Sequence, residues 1–494
     1  MSAAAVRVAL SHAAGRRTPR STNEVWSWLS PLLASVVATV ALLAWSQRGW
    51  THIQAALAFS LVSIPCFAYA EWRRTRRPQI PLFAVLAAGH TVFYCWSLFW
   101  TGILAESATE TATAVLVMAN LGVLGMFAGM KVGASGMVLK RVHLPDVPHD
   151  IRRWGWIRII AACQVLVPFL PVGTGGDFRQ IVAIVLSFIP LVAFLILWDV
   201  VLRGKGAPVD RVLVALFLAA SILAGLATGW LYGCVGTLVL ASIAFVRVRR
   251  RLPAIPIVAI MLAMGFLQAG KAAFRERFWY GTDDAGPVEK ARFWIEKSVE
   301  RMTTFSGQPS GGSPTGSLEP LLSRSSLVRE AATVYENTPS LVPFQRGETY
   351  RYLLITWIPR FLWPGKPSVN DSNRFYQVAY GVTQEDDLDH VAIGAGLIPE
   401  AYMNFGWFGI PLVMCLAGVI LGVFERVFLG RNAGTFASAV GLAYVLQLLA
   451  LNGQAAAYFG GMIQIVGFTI LIFLPCLSFK PHEARLRWRR RAIQ

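Results

Sequence analysis

The sequence predicts an all-α polytopic integral membrane protein with one large extracytoplasmic loop. Three observations lead there: the composition, the spacing of the apolar segments and the alternation of basic residues between them. Of 494 residues, 55% are hydrophobic and 15% charged, and the mean hydropathy of +0.53 is too high for an ordinary soluble enzyme. A formal net charge of +18 would suit nucleic acid if it formed a patch on a soluble face. Here Lys and Arg punctuate hydrophobic spans, so the charge reads as an orientation signal and no nucleic-acid partner is expected. Cys66, Cys95, Cys163, Cys234, Cys415 and Cys476 all fall in or at the ends of apolar segments without paired spacing. Neither a disulfide framework nor a metal site is expected, and no cofactor.

A span needs roughly 20 apolar residues. About twelve segments qualify: Trp26 to Trp45, His52 to Ala70, Pro81 to Trp100, Ala112 to Met130, Trp156 to Leu170, Ile181 to Val201, Val212 to Thr228, Leu231 to Val246, Pro256 to Gly270, Phe405 to Phe424, Thr435 to Leu451 and Gly460 to Leu477. The fifth and ninth are short. The seventh and eighth form a tight hairpin around Thr228-Gly229-Trp230. No clean small-x-small cleavage site follows the first segment, which is therefore read as an uncleaved helix. Odd-numbered connections are poor in cations, whereas even-numbered ones carry Arg73, Arg74, Arg76 and Arg77, then Lys131, Lys140 and Arg141, and later Arg247 to Arg251. By the positive-inside rule both termini are cytoplasmic. The polar segment after the ninth span then faces the periplasm or the cell exterior. The expected organisation is a membrane region over 1–270, the loop over 271–398, and three spans with a basic cytoplasmic tail over 399–494.

Acidic and basic residues nearly balance between Lys271 and Val391, so the charge excess lies elsewhere. Within this loop Pro287 to Met302 has helical spacing of Ala291, Trp294, Ile295, Ser298, Val299 and Met302, and is expected on the membrane surface or over the loop. Ser306 to Ser317 is Gly/Ser/Pro-rich, a lid or spacer. Leu321 to Tyr335 and Tyr350 to Phe361 read as further helices, the latter broken by Pro359 and Pro364.

Arg351, Arg360, Lys366 and Arg374 are framed by prolines and aromatics over about two dozen residues. Cations at the outer headgroup level suit a phosphate or diphosphate, through charge-assisted and bidentate contacts. The plain alternative is snorkelling to lipid headgroups. Downstream, His390 and Glu400 are the candidates for handling protons. A carboxylate at the mouth of a membrane helix acquires a raised pKa and can accept a proton from a hydroxyl. Against that, Glu400 and Asn404 also fit as helix-entry residues bonding backbone amides, and His390 as a surface residue.

Three motifs, Pro343-Phe-Gln-Arg-Gly347-Glu-Thr349-Tyr350, Ile358-Pro-Arg-Phe-Leu-Trp-Pro-Gly-Lys-Pro367 and Gly394-x-Gly with Pro399-Glu400-Ala-Tyr-x-Asn404-Phe-Gly-x-x-Gly409, resemble bacterial oligosaccharide repeat-unit polymerases of the Wzy type. The resemblance is specific over Pro343 to Gly409 and elsewhere rests on the shared plan of many helices and one large outer loop. It implies a metal-independent, GT-C-like membrane glycosyltransferase that moves a growing glycan from polyprenyl diphosphate to the terminal hydroxyl of the next lipid-linked repeat unit. Arg351, Arg360, Lys366 and Arg374 would hold the departing diphosphate, and Glu400 or His390 would be the base. Partners implied are polyprenyl-diphosphate-linked oligosaccharide, membrane lipids, a chain-length regulator and a flippase, in a bacterial cytoplasmic membrane. GT-C enzymes that use polyprenyl monophosphates often carry an acidic pair in the first outer loop, and Ser46 to Thr51 has no acid. Alternatives are an O-antigen ligase-type transferase, with the same needs, and a transporter or flippase of lipid-linked oligosaccharide. Ion-coupled transport is disfavoured by spans nearly free of charge.

Overall fold

The computed structural model describes residues 21–478 except 47–48, 76–77, 101–108, 140–143, 148–150, 167–181, 183, 250–252, 282, 284, 306–325, 357, 359–361, 364, 369–370, 386–387 and 389–392. Among the described residues it is all helix, with no strand beyond one isolated bridge between Asp146 and Ser478. In chain order the helices of the first membrane region are α1 (Ser21–Ala44), α2 (His52–Thr75), α3 (Leu82–His90), α4 (Thr109–Ser135), α5 (Ile151–Leu166), α6 (Ile189–Leu202), α7 (Pro208–Thr228), α8 (Leu231–Arg249) and α9 (Ala254–Phe278). A π-helical stretch, Thr91–Trp96, extends α3, and another, Ile184–Phe188, precedes α6. The loop region holds α10 (Pro287–Phe305), α11 (Val328–Asn337), α12 (Arg351–Ile355) and α13 (Asp371–Ala379). The chain re-enters the bundle with α14 (Leu397–Phe428), α15 (Thr435–Leu448), α16 (Ala455–Phe459) and α17 (Met462–Phe473).

Helix is found in each predicted span, but among the described residues eight helical stretches are both long and apolar enough to cross a membrane. Trp28–Ala44, Trp154–Leu166 and Thr435–Leu448 are apolar but shorter. Long-range contacts sort the connections into two ends. At one, Gln79 N–H bonds Leu429 O at 2.7 Å and Asp146 pairs with Ser478. At the other, Gln54 Nε2 reaches Thr109 O, Thr111 Oγ1 reaches Glu336, and Leu327 N–H reaches Phe93 O.

The axis of the bundle is the pairing of α4 with α14, built on glycines four residues apart. A Cβ on Gly129 or Gly133 would run into the carbonyl oxygens of Cys415 or Val419, and one on Gly418 or Gly422 into those of Met126 or Met130. Lipid tails are as apolar as leucine, so helices in a bilayer adhere by close backbone packing, and glycine permits the approach.

At the Asp146 end, buried carboxylates tie further helices together. Asp199 of α6 accepts Arg203 Nε at 2.6 Å and Arg247 Nη2 of α8 at 2.8 Å. Asp210, at the start of α7, accepts Arg158 Nε of α5 at 2.7 Å and caps Ala207 N–H at 2.8 Å.

Three expectations change. The ninth span does not stop near Gly270: α9 runs to Phe278, and its last turns set Arg275 over Trp279 at 4.3 Å and Arg277 over Phe293 at 4.6 Å. Of the two placements expected for α10, on the membrane surface or over the loop, the second gives way to packing back along α9, because Trp294 is fully buried there and its Nε1 donates to Leu267 O at 2.8 Å. Of the helix expected from Tyr350 to Phe361, the described residues form the end of a 3-10 turn, Glu348–Tyr350, and five-residue α12, while 357 and 359–361 lie outside them. Ile358 precedes a proline, which disfavours helical backbone. The hairpin turn between α7 and α8 stands where predicted, with Gly229 left-handed at φ 72°.

Substituting Gly129 by Val should force α4 from α14 at a backbone contact and cost about 2 kcal/mol or more, the scale of overpacking. The check is a thermal melt in detergent, compared with Gly155→Val, where a Cβ meets nothing.

Candidate functional site

Helix α14 is two helices joined at Gly406, whose φ of 65° and ψ of −154° are accessible essentially to glycine alone. A helix break frees carbonyls in the turn before it. Those of Met403 and Asn404 accept the N–H groups of Gln345 and Arg346, each at 3.1 Å. The following turn is fastened by side chains. Gly347 N–H donates to Asn404 Oδ1 at 2.9 Å, Asn404 Nδ2 to Thr349 Oγ1 at 2.8 Å, and Thr349 Oγ1 to Glu400 Oε1 at 2.8 Å. The second carboxylate oxygen, Glu400 Oε2, accepts Ala455 N–H at 2.7 Å at the start of α16. One buried carboxylate thus joins the loop, α14 and α16. Tyr350 stacks on Phe405 with centroids 6.1 Å apart, and burial, helped by the Glu400 charge, holds its hydroxyl well above the ordinary range.

Of the candidate site residues, Glu400 is fully buried with both oxygens engaged. Arg351, two residues beyond Thr349, is exposed at the first position of α12. It pairs with Glu348 and donates from Nη2 to Tyr352 OH at 3.1 Å. Lys366 is buried, and its ammonium donates to Thr356 O at 3.2 Å and Ile358 O at 2.7 Å, carbonyls at the end of α12. Gln464 Nε2 of α17 shares Thr356 O at 2.8 Å. Arg374 is exposed on α13. Arg360 and His390 lie outside the described residues. Among the described residues no group of three or more His, Cys, Asp or Glu is placed to hold a metal ion.

Beside this junction lies a polar cluster that sequence reasoning missed. Leu327 docks on the π-helical stretch through Phe93 O at 3.1 Å, and α11 then brings Glu330 into electrostatic range of Tyr94 and Tyr376. Burial raises the Glu330 carboxyl above the ordinary carboxylate range, with its own backbone N–H and then Arg329 opposing. Burial, and then Glu330, likewise raise the Tyr376 hydroxyl. Helix α13 starts because Asp371 Oδ2 accepts Ser368 N–H at 2.9 Å, half of a capping box. The Ser368-x-x-Asp371 pattern was legible and would have revealed α13. Along it Ser372 and Tyr376, and likewise Asn373 and Gln377, stand four residues apart.

Residues 324–481 match the family model described as O-antigen polysaccharide polymerase Wzy. That match supports a Wzy-type polymerase family. It begins just before Leu327 and runs through α17, so it contains the Glu400 junction and all of the polar cluster except Tyr94. No curated protein and no solved structure matches the chain.

Thr349→Val should leave Glu400 Oε1 buried without its donor and cost about 1–3 kcal/mol, read as a lower melting temperature. For Glu330, a folded pKa above the unfolded one means stability present at acid pH and lost as pH rises through the folded value. Glu330→Gln removes that loss, so its melting temperature should gain on wild type as the pH is raised from about 4, near the ordinary glutamate value. A constant difference as the pH rises would place Glu330 in a solvated setting.

Proposed function

We propose that the protein is an oligosaccharide repeat-unit polymerase acting on the outer face of a bacterial cytoplasmic membrane. It transfers a growing glycan from polyprenyl diphosphate to the terminal hydroxyl of the next lipid-linked repeat unit. The observation that carries this reading is the match of residues 324–481 to the Wzy polymerase family, because that segment also builds the Glu400 junction and the polar cluster beside it. The alternation of basic connections orients the loop to the periplasm or exterior, with both termini cytoplasmic, in a GT-C-like bundle of about twelve spans. A flippase supplying the repeat unit and a chain-length regulator are the partners this chemistry calls for.

In the reaction the anomeric carbon–oxygen bond to the diphosphate breaks, the acceptor hydroxyl oxygen bonds to that carbon, and its proton passes to a base. Negative charge grows on the leaving diphosphate. Arg351, Arg360, Lys366 and Arg374 are the cations assigned to it, and such stabilisation is commonly the largest catalytic contribution. Arg351 is exposed on the turn that Thr349 fastens to Glu400, and Arg374 is exposed on α13. Lys366 acts by fixing the end of α12 unless its carbonyl contacts are exchanged for phosphate. Glu400 or His390 takes the proton. Glu400 can do so only when the Thr349 turn shifts, because its oxygens are covered.

The test is glycan length in a deletion strain complemented with wild type, Arg351→Ala, Arg360→Ala or Glu400→Gln at matched membrane levels. Wild type should restore long chains, with the arginine variants leaving single repeats and at least a tenfold loss of polymer, about 1.4 kcal/mol. Intact chain length in the deletion strain, with export or attachment stopped, would replace polymerisation by transport or ligation.

A further inference from the structure

At the end of the bundle opposite the loop, a cleft of about 310 Å³ opens between α2, the start of α3, α4 and the end of α14. Glu71, Lys131, Glu425, Arg426 and Arg431 all line it. Two of these satisfy each other, since Lys131 Nζ stands 2.9 Å from Glu71 Oε1. The other three charges are not balanced. Arg426 Nη1 donates to Ala134 O at 3.1 Å, a neutral carbonyl that leaves the guanidinium charge uncompensated. Arg431 is exposed and Glu425 half-buried, and neither side chain has a hydrogen bond or ion pair among the described residues. Lys131 is in electrostatic range of Glu425 but spends its ammonium on Glu71. Neighbours on a helix point about 100° apart, so Arg426 does not turn to Glu425.

Deeper in the cleft the walls are apolar. Phe83 of α3 tilts against Phe127 of α4 with centroids 5.0 Å apart, and Lys131 Nζ stands 5.1 Å over the Phe127 ring from one turn further on. Leu124, one turn deeper on the same face of α4, is exposed. An apolar track therefore descends from the charged rim along α4 towards the middle of the bundle.

The unbalanced charges and the track select the ligand. Two cations without a carboxylate call for a phosphate, which guanidinium groups hold through charge-assisted contacts. A half-buried carboxylate without a donor calls for a cation that carries N–H groups. The track calls for an acyl chain. We propose that the cleft binds one phospholipid whose headgroup joins a phosphate to a primary ammonium. The phosphate sits on Arg426 and Arg431, the ammonium donates to Glu425, and the chains lie along Phe127 and Leu124. A quaternary ammonium has no N–H to give Glu425, and a glycerol headgroup brings it no positive charge. Because α4 and α14 both wall the cleft, this lipid fills the end of their seam, at the opposite end of α14 from Glu400. The site is separate from the reaction proposed above and holds or falls without it.

The experiment uses the full-length protein, delipidated in detergent. It is titrated with phosphatidylethanolamine, phosphatidylcholine or phosphatidylglycerol of identical acyl chains, and separately with inorganic phosphate. Native mass spectrometry counts bound lipid, and thermal melts read folding and protection. Wild type should take up one phosphatidylethanolamine saturably, roughly tenfold more tightly than phosphatidylcholine. Glu425→Gln should erase that preference, and Arg431→Gln should weaken both lipids by a similar factor. Glu289→Gln, at an exposed position of α10, should change neither. If Glu425→Gln does not fold, Arg431→Gln decides, because its exposed side chain makes no contact that folding needs, and unchanged lipid binding there sinks the site. Equal retention of the three lipids would mean annular lipid only, and tightest binding of phosphatidylglycerol would mean a site for anionic lipid. Protection by inorganic phosphate as strong as by lipid would mean a site for the free anion. Each of these three outcomes overturns the proposal, as does a folded Glu425→Gln that keeps the preference.

Discussion

The backbone-to-backbone contact of α4 with α14 is the constraint on which the rest of the structure depends. Each side of that seam supplies glycines at four-residue spacing whose missing Cβ atoms let carbonyls of the other helix touch the main chain. In a bilayer this is how helix association becomes favourable. The seam also fixes where the loop region can stand. α11 packs against both helices, with Thr111 of α4 donating to Glu336 at 2.8 Å and Tyr335 tilted against Tyr402 of α14 at 6.0 Å. A shift of α14 along α4 would therefore carry Glu400, Asn404 and the Gly406 break with it.

Above the seam, backbone irregularities become attachment points. The break at Gly406 exposes two carbonyls that the Gln345–Arg346 backbone covers, and the π-helical stretch after α3 receives Leu327. Glu400 completes the arrangement with one oxygen on the loop and the other on the start of α16. Three segments far apart in sequence, the Thr349 turn, α14 and the start of α16, thereby converge on one buried carboxylate at the loop end of the bundle.

The membrane helices were legible because hydrophobic length is a local property that survives in the sequence string. Their ends were less so. Nothing in the hydropathy of Lys271 to Phe278 says that arginines stacked on Trp279 and Phe293 will prolong α9. The glycine seam was visible as spacing, but spacing names no partner. At the site, Arg351, Lys366 and Glu400 stood out as charges among prolines and aromatics, yet their roles as pair, staple and junction depend on carbonyls and amides up to 55 residues away.

The ion pairs of α6 bear on how the chain is made. Asp199 is held by Arg203, the residue that closes α6 one turn further on, and by Arg247 on α8. Arg203 is synthesised four residues after Asp199, whereas Arg247 follows only after the whole of α7 and most of α8. During translation α6 therefore emerges with its own counter-ion and can enter the bilayer as a nearly neutral segment, ahead of its tertiary partner. Arg247 then arrives at a carboxylate already in place, a fixed anionic post against which the α7–α8 hairpin can be set in register.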